Sequence, residues 1–419
     1  MAPSLFYLAF LSLAVTAFAG EKLIRIMPGN SNELEFLSSL EGKEELELDF
    51  WKAPHKVGLA VDIHVTEDAY KILAIMLKEQ NIQFQIVIFD VEKMVDEERD
   101  GVQARGSSAS FYSNYHPLEE IVQELRNLAS EYSQIAEVFS VGRSYEGRDQ
   151  LAIKLKGKFA PNKKVFFMNC GIHAREWVSP ATCMYMIKQI VSKYGKDPSV
   201  TAMLDKMDFV IMPVLNVDGY VFTWNPSSRR NRMWRKTRKP NRGSRCVGTD
   251  PNRNWDYGWG RPGASSNPCS DAYRGTHAFS EVEVRNVANY LKSLSERGQI
   301  AGYMDIHAYS QLWMTPWGYT KQPSRDHNEL MRVSRYAVGA IRSAGSGTSY
   351  RYGPSSVIIY KNSGGSKDYT YGALNIKYSF ALELRDRGRY GFLLPANQIV
   401  PTGMETFEGI KEMARQMRL

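Results

Sequence analysis

Short apolar runs alternate with amphipathic helical patterns from residue 106 to the end of this 419-residue chain. Alternation of this kind is typical of α/β folds, in which helices cover both faces of a sheet. We therefore predict a single α/β domain over residues 106–419, with a mixed, largely parallel sheet. The predicted strands are 136–141, 151–155, 165–170, 209–215, 300–307 and 378–384, and the predicted helices are 118–132, 180–194, 280–296, 328–343 and 402–418.

The chain before residue 96 follows a different order. Strand patterns at 22–27, 46–51, 58–65 and 82–88 are separated by helical patterns at 32–44 and 66–80. A β-α-β-β-α-β order is that of a small ferredoxin-like α+β domain. We predict such a domain over residues 21–95, joined to the α/β domain by a polar, charged linker over residues 96–105.

Residues 1–20 have the features of a secretory signal peptide. Residues 5–18 are mostly apolar, and Ala17-Phe18-Ala19-Gly20 supplies the small residues expected at a cleavage site. The apolar run is too short to span a membrane, and the charged helical pattern at 408–419 argues against a lipid-anchor tail. We expect a secreted, extracellular protein without a membrane anchor.

The two predicted domains carry opposite charge. Residues 21–105 contain 10 Lys and Arg against 18 Asp and Glu, a net charge of −8, whereas residues 106–419 contain 43 against 27, a net charge of +16. This asymmetry suggests that the first domain covers the second; two unrelated domains with different surfaces are the alternative. Arg105, in the linker, is a target for a trypsin-like protease. A removable, inhibitory pro-domain fits both observations.

The basic charge is concentrated in the Arg-rich run 229–245. For Arg229, Arg230, Arg238 and Arg242 we keep the interpretation of a solvated basic loop that could hold a polyanion. Nucleic-acid binding is not expected, because the chain lacks basic motifs interleaved with aromatic residues and is predicted to be exported.

Export also makes disulfides expected, and the chain has four cysteines. Three connectivities are possible. We predict the two local pairs, Cys170–Cys183 and Cys246–Cys269. Both would brace loops near the candidate site described next.

His173 and Glu176 follow the predicted strand 165–170. An imidazole and a carboxylate three residues apart can hold one metal ion; the alternative is a His bonded to backbone and a solvated Glu. Catalytic zinc takes three protein ligands and leaves a fourth position for water. His307 ends another predicted strand, so it is the candidate for the third ligand. The other five histidines are expected to be structural or solvated.

Several segments taken together resemble the pancreatic-type zinc metallocarboxypeptidases, the carboxypeptidase A/B group, and they fall in that family's order. The resemblance implies a secreted zinc exopeptidase made as a pro-enzyme, with one zinc ion on His173, Glu176 and His307. It also implies peptide and protein C-termini as substrates, as in digestion, and a monomer is expected. The segments are 171–177, 231–235, 250–255, 306–311, 359–360, 383–386 and 388–392.

The same resemblance assigns roles around the zinc. Glu383 is expected to be the general base, and its alternative role is an ion pair with a neighbouring arginine. Arg235 is expected to stabilise the developing oxyanion, and Asp250 to orient His173. The expected substrate-binding residues are Arg175, Asn252, Arg253, Tyr309, Tyr360 and Lys367, of which Asn252, Arg253 and Tyr360 form the clamp for the terminal carboxylate.

Lys367 stands at the position that sets side-chain preference in the resembling family. A buried ammonium needs an anionic partner, which a C-terminal Glu or Asp of the substrate would supply. We therefore predict an acidic preference. The alternatives are that Lys367 pairs with Asp368 and leaves an A-type pocket for apolar residues, or that the chain is a non-catalytic peptide-binding relative.

Overall fold

The chain folds into a small antiparallel sheet domain followed by a larger mixed-sheet domain. The computed structural model describes residues 20–41, 43–104, 110–345 and 347–419. The predicted cleavage site at Arg105 and nearly all of the predicted signal peptide, residues 1–19, lie outside the described residues. In the part that is described, no helix is both long and apolar enough to cross a membrane.

The small domain has the predicted ferredoxin-like order. Its helices begin where expected, because the side chains of Asn30 and Thr66 accept hydrogen bonds from backbone N–H groups of the first turns. The strands pair antiparallel in the order β2-β3-β1-β4. The elements are β1 (Lys22–Ile26), α1 (Ser31–Leu40), β2 (Asp49–Lys52), β3 (Val61–Val65), α2 (Glu67–Glu79), β4 (Phe84–Ile88) and α3 (Val91–Ala104).

The segment predicted to be a linker is largely helical. Residues 96–104 form the second part of α3 instead of an irregular connection. Val91, Val95 and Glu98 recur at helical spacing and face the large domain; both valines are buried, and Glu98 pairs with the buried Arg232. The sequence does not reveal this buried helix face, because an acidic residue that is buried in an ion pair cannot be distinguished from an exposed one by sequence alone.

The large domain is built around a mixed, largely parallel sheet, as predicted. The strand order is β11-β10-β12-β9-β7-β8-β6-β5. The elements are α4 (Leu118–Glu131), β5 (Ala136–Arg143), β6 (Asp149–Leu155), β7 (Val165–Cys170), α5 (Val178–Lys193), α6 (Pro198–Lys206), β8 (Asp208–Met212), α7 (Val217–Trp224), α8 (Val282–Glu296), β9 (Ile300–His307), β10 (Leu312–Thr315), α9 (His327–Ser343), β11 (Arg351–Pro354), α10 (Ser355–Ile358), α11 (Ser366–Gly372), β12 (Tyr378–Glu383) and α12 (Ile399–Gln416).

β10 and β11 are only four residues long and were not predicted from the sequence. β8 is shorter than the predicted strand, which ran to residue 215. The strand ends at Met212 because Pro213 follows, and proline has no N–H to donate to the sheet. The central strands β8, β7, β9 and β12 are parallel, whereas β5, β6 and β10 pair antiparallel with their neighbours on the inner side.

Apolar packing on both faces holds the central sheet. Every residue of β7 is buried, as expected for a strand covered by helices on both sides. One face packs under α4, α5, α9 and α12, and the other packs under α8 and α11. At Gly302 in β9, an added Cβ would lie 2.4 Å from the Phe166 ring, so only glycine fits there. This packing fixes the relative positions of the strand ends, where the candidate site lies.

Candidate metal centre and active site

Three neighbouring parallel strands bring the candidate residues to one edge of the sheet. His307 is the last residue of β9 and Glu383 is the last residue of β12; the two are direct register partners. β7, on the other side of β9, is followed by the loop that carries His173 and Glu176. Ligands commonly bind outside the carboxyl ends of parallel strands.

The loop after β7 depends on Gly171. Its φ of +60° lies in the left-handed region, which a glycine adopts without strain, and an added Cβ would meet the Pro180 side chain at 3.1 Å. A tight turn follows, in which the Glu176 N–H donates to the carbonyl of His173 at 3.3 Å. This turn places the imidazole and the carboxylate on the same side of the loop.

His173, Glu176 and His307 form a buried cluster that could hold a metal ion. One ligand atom from each residue lies within 4.8 Å of the others. The Nδ1 of His173 lies 2.7 Å from Glu176 Oε1, and the Nδ1 of His307 lies 3.2 Å from both His173 Nδ1 and Glu176 Oε2. Two imidazole nitrogens and one carboxylate make a donor set that fits catalytic zinc.

Neighbouring charges shift the pKa values of Glu176 and His307. Burial opposes ionisation of Glu176, but His173 and His307 outweigh it and lower the pKa of its carboxyl group. Burial likewise disfavours charge on His307, yet Asp305 and Glu176 raise the pKa of its imidazole well above the usual value. A pocket of this kind favours a positive charge at its centre.

Each imidazole is held from behind by a buried carboxylate. Asp250 Oδ1 lies 3.2 Å from Nε2 of His173, as predicted for an orienting residue, and Asp305 Oδ2 lies 2.9 Å from Nε2 of His307. Asp305 also accepts hydrogen bonds from Asn169 and Ser366. Sequence reasoning missed Asp305, although its position two residues before His307 on one strand was a signal, because alternate strand residues share a face.

Glu383 lines the same cleft as the metal-ligand cluster. Burial, reinforced by the neighbouring Glu176 charge, raises the pKa of its carboxyl group to about 8. The alternative role suggested by the sequence is an ion pair with Arg385 or Arg387, and neither arginine pairs with Glu383 among the described residues. Arg387 donates to the Ser349 carbonyl at 2.6 Å. Arg385 instead donates to Glu405 at 2.5 and 2.8 Å, and to Gln398.

Arg235 reaches the cleft from the segment that follows a short 3-10 turn at Arg229–Met233. Its carbonyl accepts a hydrogen bond from the N–H of Ala174, which ties this segment to the metal-binding loop. The guanidinium donates to Asp250 Oδ2 at 2.8 Å and lies 3.8 Å from Glu176. Arg235 therefore lies beside the predicted metal ligands, with its charge balanced by Asp250.

Asn252, Arg253 and Tyr360 also line the cleft, as the clamp hypothesis requires. The Asn252 amide lies 3.2 Å from His307 Nε2, and its oxygen accepts the Ser366 N–H at 2.9 Å. The Arg253 guanidinium is anchored by the Gly263 carbonyl at 2.8 Å and lies 5.9 Å from the centre of the Tyr360 ring. The three side chains converge on one wall of the cleft.

Lys367 is buried and lines the cleft. Its ammonium donates to Asp368 Oδ1 at 2.6 Å. The Asp368 carboxylate also accepts the backbone N–H groups of Gly318, at 2.8 and 3.0 Å, and Tyr319, at 3.1 Å. This geometry matches the alternative to an acidic pocket, in which Lys367 pairs with Asp368.

The small domain reaches into the same cleft, which the sequence did not reveal at the level of residues. Trp51 and Lys52 of β2 lie among the lining residues. Asp49 accepts two hydrogen bonds from Arg175, at 2.9 and 3.0 Å. Tyr309 donates to Asp62 at 2.9 Å. Arg175 and Tyr309, both predicted substrate-binding residues, thus form hydrogen bonds with the small domain.

Both predicted disulfides are present. Cys170, at the end of β7, is bonded to Cys183 in α5, and Cys246 is bonded to Cys269. The first bridge ties the strand that precedes the metal-binding loop to the helix that follows it. The second closes the loop 246–269, which contains Asp250.

Comparison with known families identifies this architecture. The family described as "Zinc carboxypeptidase" matches residues 121–409, which is more than half of the chain. The chain belongs to this family. A second family, described as "Carboxypeptidase activation peptide", matches residues 24–98, so this zinc carboxypeptidase has the form of a pro-enzyme. It is a zinc-dependent metallocarboxypeptidase, as the sequence predicted.

Individual relatives agree with this identification. The zinc carboxypeptidase is 43% identical to carboxypeptidase A2 of Mus musculus, over 96% of this chain and 94% of the relative. It is 42% identical to carboxypeptidase A1 of Bos taurus, over 94% and 93%. Among solved structures, thrombin activatable fibrinolysis inhibitor superposes with a TM-score of 0.86 at 34% identity, covering 95% of this chain and 99% of that one.

Proposed function

We propose that this zinc carboxypeptidase is a secreted zymogen that removes single residues from peptide C-termini after cleavage near Arg105. The observation that carries the proposal is the cleft in which Glu383, Arg253 and the cluster of His173, Glu176 and His307 lie together. Two histidines and a carboxylate suit a catalytic zinc ion, and a separate carboxylate beside them suits a general base. A trypsin-like protease is the proposed activator, and a monomer the proposed assembly.

Zinc held by His173, Glu176 and His307 would supply a Lewis acid that polarises the scissile carbonyl and acidifies water. Glu383 takes a proton from the attacking water and later delivers it to the leaving amine. Burial raises the pKa of its carboxyl group to about 8, so this group holds a proton more readily than an exposed glutamate does, as suits a carrier that must both accept and return one. Arg235 presents its guanidinium to the developing oxyanion.

The wall formed by Asn252, Arg253 and Tyr360 explains why the reaction would be restricted to chain ends. A guanidinium binds a carboxylate through two parallel hydrogen bonds, which an internal peptide group cannot make. The Arg253 side chain is almost completely buried and anchored by backbone carbonyls. Its position is therefore fixed before substrate binds.

The small domain is proposed to inhibit the zymogen by occupying the substrate path. Trp51 and Lys52 fill part of the cleft, Asp49 pairs with Arg175, and Asp62 holds Tyr309. A substrate peptide would have to displace all four groups. Cleavage of the connection between the domains would convert this intramolecular contact into a dissociable one.

For side-chain preference, we propose an A-type pocket for apolar C-terminal residues. Two observations support it: the relatives above are named as A-type carboxypeptidases, and Asp368 neutralises Lys367. An acidic preference is the second candidate. It is favoured by the ammonium of Lys367, which lines the cleft and makes a single hydrogen bond to the described residues, so that two of its donors are left for a substrate carboxylate.

The test is kcat/KM of the protease-activated enzyme on matched blocked dipeptides ending in Phe, Leu, Glu and Lys, with and without a zinc chelator. The proposal predicts chelator-sensitive hydrolysis led by Phe or Leu. Hydrolysis led by Glu that is lost in Lys367→Met would establish the acidic preference instead. No hydrolysis of any member by the activated protein would contradict the proposed activity.

A further inference from the structure

The turn Arg229–Met233 carries three arginines that each hold a carboxylate of the small domain; we call Arg229, Arg230 and Arg232 the arginine cluster. Arg229 grips Asp96 through two hydrogen bonds, Nε to Oδ1 at 2.9 Å and Nη2 to Oδ2 at 2.7 Å. Arg232 grips Glu98 in the same two-pronged way, at 2.5 and 3.1 Å. Two parallel forks of this kind are the geometry by which arginine recognises a carboxylate.

Arg230, the third member of the arginine cluster, also binds a carboxylate of the small domain. Arg230 donates from Nε to Glu21 Oε1 at 2.7 Å. Arg229 and Arg230 extend from the turn with about half or more of their side-chain surface exposed. Within the described residues, the acidic groups that form ion pairs with the arginine cluster all belong to the small domain.

Arg232 is fixed in place by the large domain itself. Its Nη1 donates to the Arg175 carbonyl at 2.7 Å, its Nη2 donates to the Phe392 carbonyl at 2.8 Å, and its guanidinium lies 3.8 Å from the centre of the Trp177 ring. None of these contacts depends on the small domain. The guanidinium would therefore keep its orientation when Glu98 leaves, and a preorganised group binds its ligand at lower cost.

Release of the small domain would leave the cluster without its carboxylates. The Arg232 side chain is completely buried in the zymogen, where it pairs with Glu98, so departure of α3 would remove its counter-charge and open the guanidinium to another anion. The cluster adjoins the cleft, because Arg232 bonds to the backbone of Arg175, one residue before Glu176. An anion delivered by a bound substrate would restore the lost pairing.

We propose that in the activated enzyme the arginine cluster is an exosite for acidic side chains that precede the C-terminal residue of a peptide or protein substrate. Asp96 and Glu98, two residues apart on α3, show the kind of ligand the cluster accepts. The inference rests on the proposed function, since it requires the small domain to leave. The exosite selects substrates by their upstream acidic residues, independently of the pocket for the terminal side chain.

The first test is binding, measured on the zymogen before and after activation and removal of the released small domain. The probe is a fluorescent peptide containing Asp-Glu-Glu with an amidated C-terminus, which lacks the carboxylate needed for the clamp; its control contains Asn-Gln-Gln. We expect the activated protein to bind the acidic peptide about tenfold more tightly than the control, with the difference reduced by salt. Equal binding of the two peptides would overturn the exosite.

The second test is kinetic and uses a matched variant. The ratio of kcat/KM for substrates with acidic and neutral upstream residues, but the same C-terminal residue, should fall from about ten towards one in Arg229→Ala/Arg230→Ala. Arg242→Ala/Arg245→Ala, which removes two arginines of the same basic run outside the cluster, should leave the ratio unchanged. Thermal unfolding of both double variants checks that they fold.

The outcomes separate the exosite from the activity. Hydrolysis of neutral substrates without any acidic advantage overturns the exosite and leaves the proposed function intact. Loss of the acidic advantage in both double variants equally would also overturn it, because the effect would then be one of net charge. Absence of all hydrolysis after activation contradicts the proposed function, and the amidated peptide still reports binding in that case.

Discussion

At the scale of single residues, Glu383 has the environment of a proton carrier. It is a strand-end carboxyl group near four other ionisable side chains, His307, Glu176, Arg235 and Asp305, and burial raises its pKa to about 8. The neutral isostere Gln occupies the same space but cannot accept a proton. We expect Glu383→Gln to lower kcat by about 10² to 10⁴, with zinc content unchanged on atomic absorption. Activity within tenfold of the wild type would remove Glu383 from the proton-transfer role.

Asp305 gives a second prediction at this scale. Because it lies 2.9 Å from Nε2 of His307, its carboxylate should orient that imidazole and strengthen it as a ligand. Asp305→Asn should weaken zinc binding by about 10- to 100-fold in competition with a chelator. Ser366→Ala, which removes a hydrogen bond to Asp305 but leaves its carboxylate behind His307, is the comparison. Unchanged zinc affinity in Asp305→Asn would show that the contact does not orient the ligand.

The candidate ligands could be predicted from sequence because they stand where strands end, and strand ends can be located from apolar runs. The sequence names Asp368 as one possible partner of Lys367, but it does not decide between that pairing and a free ammonium in the pocket. Whether the ammonium turns towards the cleft or towards Asp368 depends on the backbone N–H groups of Gly318 and Tyr319, which hold the Asp368 carboxylate in place. Those residues are about fifty positions away in the sequence.

At the scale of elements, Asp49 on β2 and His64 on β3 belong to a chain of ion pairs that crosses the domain interface. His64 on β3 lies 3.1 Å from Glu21 and 3.4 Å from Asp49. Glu21 also forms an ion pair with Arg230 of the large domain, and Asp49 forms one with Arg175. Trp51 lies beside the imidazole as an uncharged neighbour. The sequence placed His64 among the structural or solvated histidines, and the structure shows a structural one.

The ion pairs of His64 predict that the zymogen loses stability at alkaline pH. Burial disfavours the charged imidazole, but Asp49 and Glu21 outweigh it and raise the pKa of His64 to about 9. A pKa raised on folding contributes stability that is complete below about pH 6.5 and is lost as the pH rises through about 9. The zymogen should unfold at a higher temperature than His64→Gln at pH 6, and the difference should vanish by pH 10. A difference that persists at pH 10 would contradict this account.

Elements also show why some predictions failed. The sequence predicts a linker over residues 96–105, because the charged residues there obscure the helix face that Val91, Val95 and Glu98 form in α3. β10 and β11 are short, and β10 lies between β12 and β11 with all four of its residues buried. Neither strand has enough residues to show a periodic pattern, so only their pairing in the folded sheet defines them.

At the scale of the whole molecule, the charge asymmetry predicted that one domain covers the other, and the structure shows the residues involved. Asp49, Asp96 and Glu98 of the small domain each pair with an arginine of the large one. The sequence predicted both folds from the order of their elements. It could not predict which surfaces meet, because surface charges carry no periodic signal and pair only after both domains have folded.

We propose that this zinc-dependent exopeptidase is held inactive by its own pro-domain. The most direct measurement is mass spectrometry of a peptide without Lys or Arg, incubated with intact zymogen, with trypsin-treated zymogen, and with treated zymogen plus a zinc chelator. We predict stepwise loss of C-terminal residues with trypsin-treated zymogen, and no loss with intact zymogen or with treated zymogen plus chelator. The same peptide with an amidated C-terminus should stay intact in all three samples. Internal cleavage, cleavage of the amidated peptide, or activity that survives the chelator would contradict the claim.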